Sequence, residues 1–290
     1  MSPRRVIILG AARSGTKVFR DALAAATGAG TVPYDVNFVW RYGNESTSHD
    51  VLDPPRLSPK AVRFITGYID RYQQNGLVIE KTVGNCLRPE FVSSVFPDAA
   101  FVHLVRDGVD AVESTRNQWG APPDRSYLLS KLRHFPLRLI PGYGRKYAIN
   151  LLRRKVREDD TAASWGVRYP GIDVDLKREG LLTVCARQWR EAVTRTHEAI
   201  EHLPNVSVFV RYEDFVTEPN SVLEHTARQL SLPTSVSGRN GAAEEINSAQ
   251  IGKGRRNLAW ADLYDIGAEI DATLMQFGYK PACHTEAESI

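Results

Sequence analysis

Four short apolar runs rich in β-branched residues recur along the chain, at Val6 to Leu9, Leu77 to Ile79, Phe101 to Val105 and Val206 to Val210. Runs of this length read as strands buried on both faces. Stretches of helical spacing separate them: the Ala-rich Thr16 to Ala26, then Val109 to Trp119, then the long amphipathic Leu181 to Leu203. Strand and helix alternating in this way predict an α/β fold, a single doubly wound parallel sheet flanked by helices. In such a sheet ligands gather at the carboxyl ends of the strands, so chemistry is expected just after each run.

The rest of the composition limits what this sheet can be part of. A chain of 290 residues with 42% hydrophobic and 24% charged residues is ordinary for a globular protein and excludes disorder, collagen and coiled coil. Its three cysteines, at 86, 185 and 283, are odd in number and far apart, and no Cys/His ligand spacing occurs. That argues against a disulfide framework and against structural zinc, and it makes a reducing cytoplasm the expected location. The apolar run at Val6 is too short for a signal-peptide core and is cut off by Arg13. No stretch approaches the roughly 18 to 20 apolar residues of a membrane span.

Residues 1–280 are expected to form one domain, interrupted by an insertion at about 120–180 and followed by a flexible tail at 281–290. The insertion carries prolines at 122, 123, 136, 141 and 170, and residues 125–157 hold ten Arg or Lys and no Asp or Glu. Tyr127, Phe135, Tyr143, Tyr147, Trp165 and Tyr169 interleave with these cations. Such a segment suits a cleft for a sugar ring or an anionic acceptor, and equally a solvated pair of basic helices. Residues 148–157 also have the pattern of a helix lying on an anionic membrane, a peripheral contact. Nucleic acid is not expected, because the phosphate-binding signals elsewhere are better explained by a nucleotide site.

The first such signal is Gly10-Ala11-Ala12-Arg13-Ser14-Gly15-Thr16-Lys17, which joins the first strand to a helix. Backbone N–H groups and the helix dipole face an anion there, and Arg13, Ser14, Thr16 and Lys17 add side-chain donors. The alternative is an ordinary glycine turn before a helix. Gly10 and Gly15 imitate the spacing of a P-loop, but Thr16-Lys17 inverts the order that a nucleotide kinase needs, which weakens that reading without removing it. The second signal is Val105-Arg106-Asp107-Gly108, with Ser114 eight residues after Arg106 and about two helical turns further on. A guanidinium and a hydroxyl so spaced can share a second phosphate, although an Arg-Asp after a strand also serves as an ion pair or a helix cap.

With these residues in view the chain resembles the sulfotransferases that use 3′-phosphoadenosine 5′-phosphosulfate (PAPS). ARSGTK is similar to the family's 5′-phosphosulfate loop, and VRDGVDAVES to its 3′-phosphate motif. Glu80-Lys81-Thr82 resembles the Glu-Lys-Thr of the Golgi-type and heparan-type carbohydrate members, and Arg211-Tyr212-Glu213-Asp214 the segment whose tyrosine lies near the adenine. Gly252-Lys253-Gly254-Arg255-Arg256 is similar to the basic-glycine loop over the 3′-phosphate. The five occur in the family's order. The chain departs from it in having Arg13 for the usual Lys, Lys17 for a second Thr, and no His after Lys81-Thr82.

The resemblance implies a P-loop-like sulfotransferase fold, PAPS as co-substrate, no metal, and an acceptor that is a carbohydrate or glycolipid. It implies cofactor contacts from Arg13, Ser14, Gly15, Thr16, Lys17, Arg106, Ser114, Tyr212, Lys253, Gly254 and Arg255. Charge growing on the departing phosphate is expected to meet Arg13, Lys17 and Lys81. The base is sought about twenty-two residues after Arg13, at Asp35, with Glu80 as second candidate or as a partner orienting Lys81; Asp35 as a turn cap is the alternative. Asn37, Trp40, Arg41, Tyr42 and Asn44 are expected to add polar and aromatic groups for a sugar. His103, inside the third strand, is read as a satisfied core residue. Besides the kinase, a non-catalytic binder of anionic glycan or lipid head groups remains as an alternative.

Overall fold

The computed structural model describes residues 4–119, 166–233, 246 and 248–283. Five strands, β1 (Arg5–Leu9), β2 (Gly30–Thr31), β3 (Val78–Glu80), β4 (Ala100–Val105) and β5 (Ser207–Arg211), form one sheet in the order β2-β3-β1-β4-β5. Every pairing is parallel, with Val6 of β1 aligned to Ile79 on one side and to Ala100 on the other. The expected runs fall on β1, β3, β4 and β5 within a residue or so. β2 has no counterpart among them: two residues show no periodicity, and Gly30 is there because any side chain would overlap the carbonyl of Tyr72.

The chain leaves β1 through α1 (Thr16–Thr27) toward the β2 edge, and leaves β4 through α5 (Gly108–Trp119) toward the β5 edge. Connections departing in opposite directions open a crevice at the carboxyl ends of these two neighbours, where a doubly wound sheet binds ligands. On one face of the sheet α1, α8 (Tyr212–Thr217) and α9 (Pro219–Gln229) bury Phe19, Leu23, Phe215 and Leu223 against Ile8, Val102 and Val210. Phe19 meets Phe215 edge to face at 4.9 Å. Across the sheet, α7 (Leu181–Ile200) and α11 (Trp260–Gln276) cover β4, and His103 there touches His197 and Phe277.

The remaining helices are α2 (Asn37–Trp40), α3 (Pro59–Asp70), α4 (Pro89–Val95), α6 (Ile172–Arg178) and α10 (Lys253–Asn257). Their ends follow local chemistry. Ser58 accepts from the Ala61 N–H ahead of Pro59 at the first turn of α3. Gly28, at φ 68°, closes α1 by donating to the Ala24 carbonyl.

The chain divides into two units, one of residues 1–116 and 166–290, the other of 117–165. Residues 166–180, read from the sequence as the end of the insertion, therefore belong with the sheet. Asp50 and Arg168 exchange backbone bonding, Asp50 N–H to the Arg168 carbonyl at 2.7 Å and Arg168 N–H to the Asp50 carboxylate at 2.9 Å, and Tyr169 is buried. The basic helix expected at 148–157, and every aromatic residue named for the insertion except Tyr169, lie outside the described residues. At the other end, Ala282 is buried and donates to Asp271, so ordered packing runs past residue 280 to Cys283.

Candidate active site

The loop after β1 is tightly specified. A Cβ on Gly10 would stand 2.8 Å from the Leu104 carbonyl oxygen, so only glycine lets the loop pass this close to β4. Arg13 and Gly15 have left-handed backbones, at φ 65° and 77°. Gly15 begins α1 without a side-chain cap, and the first intrahelical bond is donated by Phe19 to the Gly15 carbonyl. The amides of the first turn therefore keep their donors for an anion. Thr16 is buried beside them, and Ser14 is fully buried with its hydroxyl oxygen unpaired among the described residues.

Arg106 follows β4 and lies against this loop. Its Nη1 donates to the Arg13 carbonyl at 3.0 Å and its Nη2 to the Gln250 carbonyl at 2.9 Å, and its guanidinium stands 4.8 Å from the centre of the Tyr212 ring. The Arg106 backbone carbonyl accepts from Trp189 Nε1 at 3.1 Å, which fixes the turn. Arg13 Nε donates to Ser114 Oγ at 2.9 Å, so the loop after β1 meets the first turns of α5 through the residues expected to hold the two phosphates. Burial, and then the neighbouring Arg106 cation, depress the Arg13 pKa. Two guanidinium groups held this close make a locus that favours an anion. Tyr212 lies in the same group: a Cβ on Gly15 would overlap its ring.

The basic-glycine segment is brought here in a different role from the expected one. The carboxylate of Asp110, buried in α5, accepts from the N–H of Gly252 at 2.8 Å and of Gly254 at 2.7 Å. A Cβ on Gly254 would overlap the Val109 carbonyl, so this glycine serves the approach of α10 to α5. Arg255 pairs with Asp107 at 2.6 Å and donates to the carbonyls of Lys280 and Pro281, which makes it a tie between α5 and the C-terminal segment. Lys253 opens α10, half-buried. Lys17 also differs from expectation: its ammonium is 62% exposed and pairs with Asp21 at 2.9 Å, one turn along α1.

The second half of the site follows β3. Lys81 Nζ lies 3.0 Å from Asp35 Oδ2, and Asp35 Oδ1 accepts from the Val83 N–H at 2.9 Å. Asp35 keeps 29% of its side-chain surface open. Glu80 makes no bond to Lys81. It is fully buried as the last residue of β3, accepts from Thr82 Oγ1 and from Asn85 Nδ2, and burial pushes its pKa up to about 7. Asp35, not Glu80, is thus the carboxylate bonded to Lys81. Cys86 joins the halves by donating its thiol to the Gly10 carbonyl at 2.9 Å.

The residues expected to meet an acceptor sugar are largely taken into the interior. Trp40 is fully buried against Phe96, Asn37 and Arg41 bond to the Asp50 carboxylate, and Asn44 donates to the Arg56 carbonyl. Tyr42 stays partly open, stacked at 4.2 Å on Phe64 with the Lys60 ammonium 5.9 Å from its ring centre.

No protein-family model matches the chain, and no curated protein sequence does. Solved structures do match. The sulfotransferase domain from the curacin biosynthetic pathway aligns with a TM-score of 0.55 at 15% identity, covering 95% of this chain and 98% of that domain. The sulfotransferase domain of the Synechococcus PCC 7002 olefin synthase aligns with a TM-score of 0.52 at 16% identity, covering 96% of each. The chain has the sulfotransferase fold.

Within this sulfotransferase fold, sequence reasoning missed residues that shape the site from a distance. Glu213 accepts from the Asp107 N–H and from the Tyr279 hydroxyl, locking the end of β5 to the end of β4, a role that the motif around Tyr212 does not reveal. Asp110 could have been suspected only from its place one turn after Arg106. His103 is buried as expected but not satisfied: both ring nitrogens lack a partner among the described residues, and burial pushes its pKa down to about 3. Among the described residues no cluster of three His, Cys, Asp or Glu is placed to hold a metal, and no helix is long and apolar enough to cross a membrane.

Proposed function

We propose that this chain is a sulfotransferase that moves the sulfuryl group of PAPS to a hydroxyl of a carbohydrate or glycolipid acceptor. The observation that carries the reading is the junction of Arg13 and Arg106 at the carboxyl ends of β1 and β4, within a sulfotransferase fold. The residues present suit a doubly phosphorylated adenosine. Two cations converge, α1 opens without a side-chain cap, and two buried polar atoms of the group, Ser14 Oγ and Arg106 Nε, lack partners among the described residues. In this reading the first-turn amides of α1, with Thr16 and Arg13, hold the phosphosulfate end. Arg106, Ser114 and Lys253 hold the 3′-phosphate, and Tyr212 lies toward the adenine.

The chemistry is an in-line displacement. The acceptor oxygen bonds to sulfur as the bond from sulfur to the 5′-phosphate oxygen breaks, the acceptor proton passes to Asp35, and adenosine 3′,5′-bisphosphate leaves. Lys81 has two positions of use. Paired with Asp35 it keeps the carboxylate oriented; turned to the departing phosphate it stabilises the charge that grows there and frees Asp35 Oδ2 to accept a proton. Glu80, fully buried and bonded to Thr82 and Asn85, is not open to an acceptor hydroxyl, which favours Asp35 as the base. The nucleotide-kinase alternative is disfavoured because Thr16 stands where its phosphate lysine belongs, and Lys17 lies exposed beside Asp21 on α1. Three free thiols accord with action in the cytoplasm.

Thermal melting with adenosine 3′,5′-bisphosphate and with ATP plus magnesium tests the nucleotide, and labelled PAPS with a panel of glycan and glycolipid acceptors tests the reaction. A bisphosphate at about 100 times its Kd should add about 2.7 kcal/mol of stability without metal. Stabilisation only by ATP with magnesium would replace the reading with a kinase. Stabilisation by neither, together with binding of anionic glycans, would replace it with a non-catalytic binder.

A further inference from the structure

Beneath Asp35 and Lys81 lies a buried array of charges linked by amides. Arg88 is fully buried, and two asparagine side chains connect it to two carboxylates. On one side Arg88 Nε donates to Asn85 Oδ1 at 2.9 Å, and Asn85 Nδ2 donates to Glu80 at 3.1 Å. On the other side Arg88 Nη2 donates to Asn37 Oδ1 at 2.5 Å, and Asn37 Nδ2 donates to Asp50 at 2.8 Å. Arg41 closes the array on Asp50 at 3.1 Å. The space is closely filled, since a methyl group on Gly84 would stand 3.0 Å from Asn37 Oδ1 and 3.2 Å from Arg88 Nη2.

Both arms end on the segments that carry the transfer pair. Glu80 holds Thr82, and Thr82 Oγ1 accepts from the N–H of Val36, the residue after Asp35, at 3.0 Å. Val83, next to Thr82, donates its N–H to Asp35 itself. The other arm grips Asn37, two residues beyond Asp35. One guanidinium therefore holds the Lys81 segment through Asn85 and Glu80, and the Asp35 segment through Asn37. Burying such an array costs more than apolar packing of the same volume, so its stability alone does not account for it. Its fixed donors and acceptors do define where two loops sit.

We propose that Arg88, acting through Asn85 and Asn37, is a positioning residue that fixes Asp35 opposite Lys81 without touching the reacting atoms. Its effect on turnover rests on the sulfuryl-transfer reading above; its effect on the Asp35 and Lys81 pair does not. Planarity is essential to the role, because an ammonium cannot donate along both arms from fixed positions. Burial lowers the Arg88 pKa to about 10, so the cation persists at neutral pH.

The test uses the full chain and three variants: Arg88→Lys, Glu80→Gln, and the double variant Glu80→Gln/Asn85→Asp. Above pH 7, where Glu80 is ionised, the double variant reverses the polarity of one arm at constant charge. The new amide at position 80 donates to the new carboxylate at position 85, whose second oxygen still accepts from Arg88. Arg88→Lys and Glu80→Gln should lower kcat on the order of 10²-fold, the effect of misplacing a group by about 1 Å. The Kd for adenosine 3′,5′-bisphosphate should stay at the wild-type value, which also shows that each variant is folded. The double variant should recover most of the loss.

A second readout needs no turnover: reductive methylation of Lys81 followed by peptide mass spectrometry. Lys81, 11% exposed and paired, should label slowly in the wild type, faster in both single variants, and slowly again in the double variant. Wild-type labelling in all folded variants, or a double variant no better than Glu80→Gln, overturns the proposal. A wild type that transfers no sulfuryl group while the labelling follows this pattern overturns the proposed function and leaves the positioning role standing.

Discussion

Arg106 donates through Nη1 to the backbone carbonyl of Arg13 at 3.0 Å, and this bond ties the loop after β1 to the loop after β4. The two side chains carry the same charge, and burial together with the Arg106 cation depresses the Arg13 pKa. What holds them together is a set of neutral acceptors and one more distant carboxylate, Asp110 at 3.6 Å. The gap between attraction and geometry is what a bound dianion would fill.

Removing this junction should therefore weaken the nucleotide more than the fold. Arg106→Ala deletes charge-assisted hydrogen bonds of about 1.5–3 kcal/mol each, so adenosine 3′,5′-bisphosphate should bind about 10- to 100-fold more weakly by calorimetric titration. Arg106→Lys should recover little of this, because the fork that spans two carbonyls and faces Tyr212 is lost. Unchanged affinity in Arg106→Ala would separate Arg106 from the nucleotide.

Gly15 is constrained twice, by its left-handed backbone and by the Tyr212 ring packed on its Cα. The backbone alone makes Gly15→Ala cost about 1–2 kcal/mol. The ring adds to that cost, and Tyr212→Ala should relieve the added part. Urea denaturation of the two single variants and the double variant measures the coupling. A cost for Gly15→Ala that is the same with and without the ring would mean that Tyr212 does not set the loop.

Asp35→Asn should spare the nucleotide and remove the proton acceptor. The turnover number should fall by about 10²- to 10⁴-fold, the range of general-base catalysis, with bisphosphate affinity unchanged. Steady-state kinetics with labelled PAPS and calorimetry on the same preparation give both numbers. A variant with wild-type turnover would leave Asp35 as the cap of its turn.

The fold was legible where burial made strands uniform. Val6 to Leu9 and Phe101 to Val105 are apolar but for His103 and lie in the sheet as read. β3 ended one residue early in that reading because a glutamate looks like the start of a loop; Glu80 stays in the strand because Thr82 and Asn85 supply its hydrogen bonds. The loop motifs were legible because strand, glycine and helix are neighbours in sequence. Asn37, Arg41 and Asn44 misled for the opposite reason. Their polarity suits a surface, and what engages Asn37 is Arg88, 51 residues away. The use of Gly252 and Gly254 as donors to Asp110 spans 142 and 144 residues and leaves no local trace.

His103 carries the pH dependence that is easiest to isolate. Its pKa is depressed from 6.5 to about 3, because burial beside Phe209, Phe277 and the like-charging His197 leaves no partner for a proton. The unfolded chain then binds more protons at this residue between about pH 3 and 6.5, so His103 contributes stability that is full above 6.5 and is lost as the pH falls. Glu80 works the other way: raised from 4.5 to about 7, it retains its proton in the folded state and costs stability as the pH rises through that window. The two slopes oppose each other between about pH 4.5 and 6.5, so the wild-type curve alone cannot identify either. His103→Phe removes one slope and leaves the other. With the slope rising from half of about 1.4 kcal/mol per pH unit at 6.5 to its full value below, the variant should gain about 2 kcal/mol relative to the wild type on going from pH 6.5 to 4.5. Urea denaturation of both proteins at these two values gives the difference directly, and a difference that does not change with pH would mean that His103 is protonated in the folded chain.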